Sequence, residues 1–409
     1  MSASEPFGIG NFRVVDDELQ VGGEPLTALA MKLKRTPFYA YDRAALASRV
    51  QVLRQYLPPQ IDLHYAVKAN PMPAVVRFMT ELVDGLDVAS AGELRVALDA
   101  GMDVADISFA GPGKTEAELQ EAVRSGILLN VESFREIRLL DSLSTHIGAA
   151  ARVAVRVNPD FELKSSGMKM GGGPKQFGID AEQVPEALAE IGRRGLAFEG
   201  FHIFSGSQNL RPEAICEAQS KTLALAERLA AHAPGPVKVL NLGGGFGIPY
   251  FKGDAPLDLG PIGENLRRVV DRAALALPDA QLVLELGRYL VGEAGLFVCR
   301  VLDRKTSRGE VFLVTDGGLH HHLAASGNFG QVIRKNYPVV IGNHVREGPR
   351  EVASVVGPLC TPLDLLAERA ELGVAREGDL VVVLQSGAYG LTASPQLFLG
   401  HPPPLEVLV

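Results

Sequence analysis

Residues 61–70 read IDLHYAVKAN. An apolar, β-forming run, Ile61–Val67, stops on Lys68 and Asn70, and an amphipathic stretch follows. The same theme then recurs along the chain. Further β-rich runs lie at Gly85–Ala89, Asp106–Ala110, Ile127–Val131, Arg152–Val157, Phe198–Phe204, Val237–Leu242 and Gln281–Glu285. Segments with helical character separate them, among them Ala91–Ala100, Thr115–Ser125, Val184–Arg193 and Ala214–Ala231. Strands that alternate with helices predict an α/β fold with a parallel sheet, and eight strands are the number that closes a (β/α)8 TIM-like barrel. The barrel is expected over residues 35–294.

Past Ala294 the pattern changes. LFVCRVLD, EVFLVTDGG, YPVVIGN, REVASVVGPL and DLVVVLQSG are short β-rich runs separated by Gly, Pro and charged turns. They predict a second, mostly antiparallel β domain over 295–409. The β-like pieces FRVVD and LQVGG have no partner near them, so residues 1–34 are expected to join it.

With 46% hydrophobic and 22% charged residues, the 409-residue chain has the balance of a globular protein. No apolar run reaches the length of a membrane span, and the N-terminus lacks a basic start followed by an apolar stretch. The cytoplasm is the expected compartment. A net charge of −8 without a long basic run argues against nucleic acid. Cys216, Cys299 and Cys360 are too far apart for a CxxC pattern or a disulfide framework, and the first two read as small buried hydrophobes.

In such a barrel the reacting groups sit where strands end. Lys68 ends the first run, His202 and Ser205 the sixth (GFHIFSGS), Gly243, Gly244 and Gly245 the seventh (LNLGGGFG), and Glu285 and Arg288 the eighth (LVLELGRYL). A strand-end lysine is commonly a snorkelling surface residue; a buried one has a neutral amine able to attack a carbonyl. Consecutive glycines let backbone N–H groups approach a phosphate, with Ser205 as an added donor, although a plain tight turn has the same glycines. A glutamate in an apolar strand end needs a partner, and Arg288 is the one nearest in sequence.

YAVKAN, HIFSGS, GGGFG, ELGRY, GPLC and SGAYG occur in the order found in the ornithine/diaminopimelate/arginine decarboxylases. The chain resembles that family from about Phe38 to Val407. The resemblance implies pyridoxal 5'-phosphate (PLP) as cofactor, the alanine-racemase-like fold type III, and a head-to-tail homodimer with shared active sites. It gives Lys68 as the Schiff-base lysine, His202 as the ring-stacking residue and Glu285 as the partner of the pyridine nitrogen. Ser205, Gly243, Gly244, Gly245, Gly287, Arg288 and Tyr389 match the cofactor-binding set, and Asp87 a carboxylate near the cofactor. Cys360 matches the residue that crosses the dimer interface to return a proton to Cα. A thiol suits that task because it titrates near working pH. A racemase of this fold would break Cα–H instead; Cys360 and ELGRY favour decarboxylation. Keeping Lys68, Glu285 and Cys360 argues against a non-catalytic PLP-binding homologue.

The substrate end departs from the familiar decarboxylases. Where ornithine and diaminopimelate enzymes carry an acid after the cysteine, this chain has Thr361. A basic substrate thereby loses an interaction of about 1.5–3 kcal/mol. Asp364 matches a position that can carry a structural aspartate. The arginine and tyrosine that grip a distal carboxylate in diaminopimelate enzymes correspond to Ala324 and Asn328. Three adjacent histidines, His320–His322, do not converge on one ion from a strand or a helix; no metal is expected, and they are candidates to line the substrate pocket. KMGGGPKQFGID, DGGLHHH, GPLCTP and SGAYGLTASPQLFLGHP are similar to the exosortase-associated subgroup and to the butirosin-pathway decarboxylase, which acts on an amino acid tethered to an acyl carrier protein. The implied substrate is an aminoacyl conjugate, with an acyl carrier protein as the partner and the Lys164–Lys175 loop as a candidate to receive it. A free amino acid, diaminopimelate, is the alternative.

Overall fold

The computed structural model describes residues 7–162, 168–169, 171–331 and 333–409. They fall into two compact units: a barrel unit, Val50–Ile248 with Pro256–Tyr289, and a β unit, Met1–Arg49 with Pro249–Ala255 and Leu290–Val409.

Eight strands form the barrel: β1 (Ile61–Ala66), β2 (Gly85–Val88), β3 (Ile107–Phe109), β4 (Leu128–Val131), β5 (Arg152–Asn158), β6 (Ala197–His202), β7 (Val239–Gly244) and β8 (Gln281–Leu286). All pairings are parallel, and β8 pairs with β1 while β4 pairs with β5, so the ring closes. The helices between them start and stop where local chemistry dictates. Thr115 and Glu118 form a capping box before the helix Glu116–Ser125, which ends on Gly126 at φ +75°. Ser90 and Ser133 cap the helices Ala91–Asp99 and Phe134–Ile147 through the backbone N–H of Glu93 and Glu136.

The β unit is built around the long strand Gly295–Ser307. It pairs antiparallel with Phe38–Tyr41, Glu310–Thr315 and Leu380–Val383. Phe38–Tyr41 also takes Leu405–Leu408 as a parallel neighbour. With pairing on both edges and all four of its residues buried, this strand belongs to the β unit although it lies within the stretch read from sequence as barrel. The N-terminal strands Arg13–Val15, Glu18–Val21 and Glu24–Pro25 form a small meander. Leu19, Val21, Leu26 and Leu29 from this region share one core with Phe38, Val298 and Val382. Among the described residues no helix is long and apolar enough to cross a membrane.

Candidate active site

Lys68 lies in the short helical turn that follows β1, half exposed, with Nζ 3.6 Å from Glu285 Oε1 and 5.8 Å from the centre of the Phe204 ring. Glu285, near the end of β8, is 5% exposed. Its other oxygen lies 2.9 Å from His202 Nε2. His202 and Glu285 sit on strands separated by β7, a bond that the concave inner face of a closed barrel permits. Burial alone would raise the Glu285 pKa. The Lys68 ammonium, the His202 hydrogen bond and the Arg156 guanidinium outweigh it and hold the carboxyl well below its usual range.

The glycine turn is equally constrained. Gly243 and Gly245 have φ of +69° and +79°. A Cβ at Gly243 would lie 2.8 Å from the Ile203 carbonyl, and one at Gly244 or Gly245 would collide with the carbonyls of Glu285 and Gly206. Backbone thus passes where a side chain would stand. Ser205, Gly206, Asn209, Gly244 and Gly245 wall a pocket closed by Ile215 and Ala218 of the helix Pro212–Ala230. Gly287 packs over the Lys68 turn, where a Cβ would come within 2.9 Å of the Ala69 Cβ. Arg288 opens the helical turn after β8.

These features fit PLP. The amine of Lys68 is accessible, the Glu285 carboxylate is ionised beside it, and His202 Nδ1 is buried with no hydrogen-bond partner. Lys68, His202 and Glu285 would hold the ring, and the Ser205–Gly245 pocket its phosphate. When bound, the cofactor supplies an electron sink for the bond that breaks at Cα.

Around Asp87 lies a set of residues not singled out from the sequence. Asp87 accepts the Ser108 hydroxyl, Ser108 accepts Asn130 Nδ2 at 3.2 Å, and His64 Nδ1 lies 3.4 Å from Asp87. Arg156, in register with His202, donates to Glu132 at 2.8 Å. Lys114, 3% exposed, donates to the carbonyls of Gly111 and Asn130, both at 2.8 Å, and to Glu136 at 3.1 Å. For His64, Ser108, Asn130 and Arg156 the only sequence signal is a polar letter inside an apolar run.

In the β unit, Cys360 is exposed on the loop between Arg350–Val356 and Leu365–Gly373, whereas Cys299 is buried and Cys216, in the barrel unit, is half-buried. Asp364 closes the Cys360 loop by accepting the backbone N–H of Leu359 at 2.8 Å and of Leu319 at 2.6 Å. Thr361 Oγ1 accepts the Leu363 N–H, and Ala324 is buried. Asn328 Nδ2 donates to Ser326 Oγ at 2.8 Å. Tyr389, at φ +53°, lies 6.4 Å from the Phe329 ring. The three histidines differ in their hydrogen bonds, although the His320 and His321 rings lie 3.6 Å apart. His321 Nε2 meets the Pro402 carbonyl at 3.1 Å and His322 Nε2 meets Ser386 Oγ at 2.9 Å, while both nitrogens of His320 are buried without a hydrogen bond. Of the Lys164–Lys175 loop, residues 164–167 and 170 lie outside the described residues.

Residues 43–292 match the family described as pyridoxal-dependent decarboxylase, pyridoxal binding domain. The chain is 40% identical over 391 residues to the L-glutamyl-[BtrI acyl-carrier protein] decarboxylase of Niallia circulans, covering 94% of this chain and 90% of that protein. It is 34% identical over 400 residues to the diaminopimelate decarboxylase of Aquifex aeolicus, covering 96% and 91%. Among solved structures it is similar to diaminopimelate decarboxylase from Helicobacter pylori complexed with L-lysine, with a TM-score of 0.83 at 26% identity over 94% of each chain.

Proposed function

This chain belongs to the pyridoxal-dependent decarboxylases, and from that premise we propose that it removes the α-carboxylate of a glutamyl group carried on an acyl carrier protein. CO₂ can leave Cα only if the α-carboxyl is free, so the carrier must be joined through the side-chain carboxyl. The distal end of such a substrate bears no charge. What carries the reading is that two uncharged residues, Ala324, which is buried, and Thr361, whose hydroxyl is bonded to the loop backbone, stand where the resemblance implies a distal arginine and an acid. The 40% identity to a carrier-dependent enzyme supports it.

The roles follow from chemistry at each position. Lys68 would hold the cofactor through its amine and be displaced by the substrate amine. Glu285, kept anionic, would keep a proton on the ring nitrogen. His202 would lie against the ring while its Nε2 steadies Glu285. Ser205 and the glycine turn, with Arg288 and Tyr389, would hold the phosphate, and Asp87 would lie near the cofactor. Cys360 would return the proton to Cα once CO₂ has left.

We place the enzyme in the cytoplasm as a homodimer in which Cys360 serves the partner's site. Support comes from the exposed Cys360 and from the apolar run Leu397, Phe398 and Leu399, which is 94%, 46% and 51% exposed. The test is CO₂ release with intact-mass readout from glutamyl-carrier, free glutamate, ornithine and diaminopimelate. Turnover of the carrier conjugate far above the free amino acids is expected. Equal or faster turnover of free diaminopimelate, the substrate named for the Aquifex relative, would replace this reading with the free amino acid one.

A further inference from the structure

Polar and ionisable side chains follow one another around the inner face of the barrel. Glu132 pairs with Arg156, and Arg156 stands in register beside His202, which bonds Glu285. Glu285 is in turn in direct register with His64 on β1. Residues in register on parallel strands point to the same side, so the His64 imidazole shares the inner face with the Glu285 carboxylate. Asp87, on β2, flanks His64 from the other side, 3.4 Å from Nδ1. His64 therefore stands on the one strand that separates two carboxylates.

Two further observations show that this placement is built. Gly85 is in register with His64, and any Cβ there would collide with His64 Nε2, so the ring occupies the room a side chain would take. Asp87 is held by Ser108, itself held by Asn130, yet its Oδ2 is buried with no hydrogen-bond partner. A buried carboxylate oxygen without a donor needs a nearby cation to remain ionised.

We propose that His64 is a positioning residue for Glu285: as an imidazolium between Asp87 and Glu285, it lets both carboxylates stay ionised and oriented before the cofactor binds. The inference rests on the reading of Glu285 as the partner of the ring nitrogen. The groups that face His64 are Asp87 on β2, Glu285 on β8 and, on its own strand, Asp62. Burial works against its charge, and these three carboxylates outweigh burial and raise its pKa above the usual value. Without the cation, two like charges face each other across a single strand, and acid protonates one of them sooner.

The test uses the full chain. In cofactor-free protein labelled with ¹⁵N-histidine, the His64 ring should remain protonated above its ordinary midpoint of about 6.5, and Asp87→Asn should lower that midpoint. Titration at or below the ordinary value overturns the proposal. In the PLP-loaded protein, His64→Asn should shift the midpoint of cofactor release on acidification, followed by visible absorbance, upward by about one pH unit. Adding Asp87→Asn removes the unpaired charge as well and should move the midpoint back down. A packing role alone would make the double variant worse than the single one, and that outcome also overturns the proposal. If His64 titrates high while Glu285→Gln retains the cofactor like the wild type, the reading of Glu285 fails instead.

Discussion

The buried ionisable groups of the barrel unit pair with opposite charges, whereas the three buried histidines of the β unit meet carbonyls, a hydroxyl and one another. Lys114, Glu136, Glu132, Arg156 and Glu285 are each less than 10% exposed, and each has an opposite charge within 4 Å. His320, His321 and His322 are as deeply buried, but their neighbours are one another, His401, carbonyls and a hydroxyl. Burial pushes His320 and His322 down to about 3 and His321 to about 4. Burial alone therefore does not decide protonation. Pairing opposes burial to different degrees: Lys68, His202 and Arg156 hold the Glu285 carboxyl below its usual range, whereas burial still raises that of Glu136 beside Lys114.

The largest effect is expected where the charged lumen meets the cofactor. Lys68→Ala removes the amine and should cut CO₂ release by about a thousandfold or more, and borohydride should no longer fix cofactor to the chain. Retained covalent cofactor would mean that another amine serves. The rule of pairing can be broken at Lys114, which plays no part in the chemistry. Lys114→Met strands Glu136 in a site where both side chains are 1% exposed and should cost about 3–5 kcal/mol in urea unfolding. Removing both with Lys114→Met and Glu136→Met should cost less than the single change. A double variant as unstable as the sum of the two singles would mean that the two charges are uncoupled and would break the rule.

Cys360→Ala tests the β unit's part in the chemistry. Visible absorption of the bound cofactor should be unchanged, while correctly protonated product should form about a hundredfold more slowly. Unchanged rate and product would remove this thiol from the mechanism. The smallest effect concerns the neutral histidines. Their folded pKa lies below the ordinary 6.5, so the unfolded chain binds more protons between pH 6.5 and about 3. Their contribution is complete above pH 6.5 and is lost as pH falls through that window. His322 alone should cost about 1 kcal/mol in urea unfolding one pH unit below 6.5. His322→Phe should flatten the pH dependence there. The depressed carboxyl of Glu285 also loses its contribution in acid, but only below the ordinary glutamate range.

The eight barrel strands were legible because each is an apolar run followed by a turn and a helix, and the observed bounds lie within three residues of those read. Phe38–Tyr41 was not, since a short apolar run does not say which sheet completes both its edges. Within the barrel part of the site, Lys68, His202 and Glu285 announced themselves as costly letters at strand ends. His64, Ser108, Asn130 and Arg156 are the same kind of letter one or two positions earlier in their runs, and they were passed over. Glu285 shows the limit most clearly. Sequence proximity offers Arg288 as its partner, while His202 and Lys68 meet it from β6 and from the turn after β1.

By itself the sequence determined the order of strands and helices, the glycine turn and the residues with the right chemistry, because these depend on local periodicity and on the cost of polar groups in apolar runs. Only the tertiary structure decided who faces whom. Closing the ring brings β8 against β1 and curves β6 toward β8, so that His64, His202 and Glu285, far apart in the chain, share one inner face. The shifts of His64 and Glu285 depend on those neighbours, because buried groups interact over short distances in a poorly screening medium. That is a property of strand register, which periodicity does not encode.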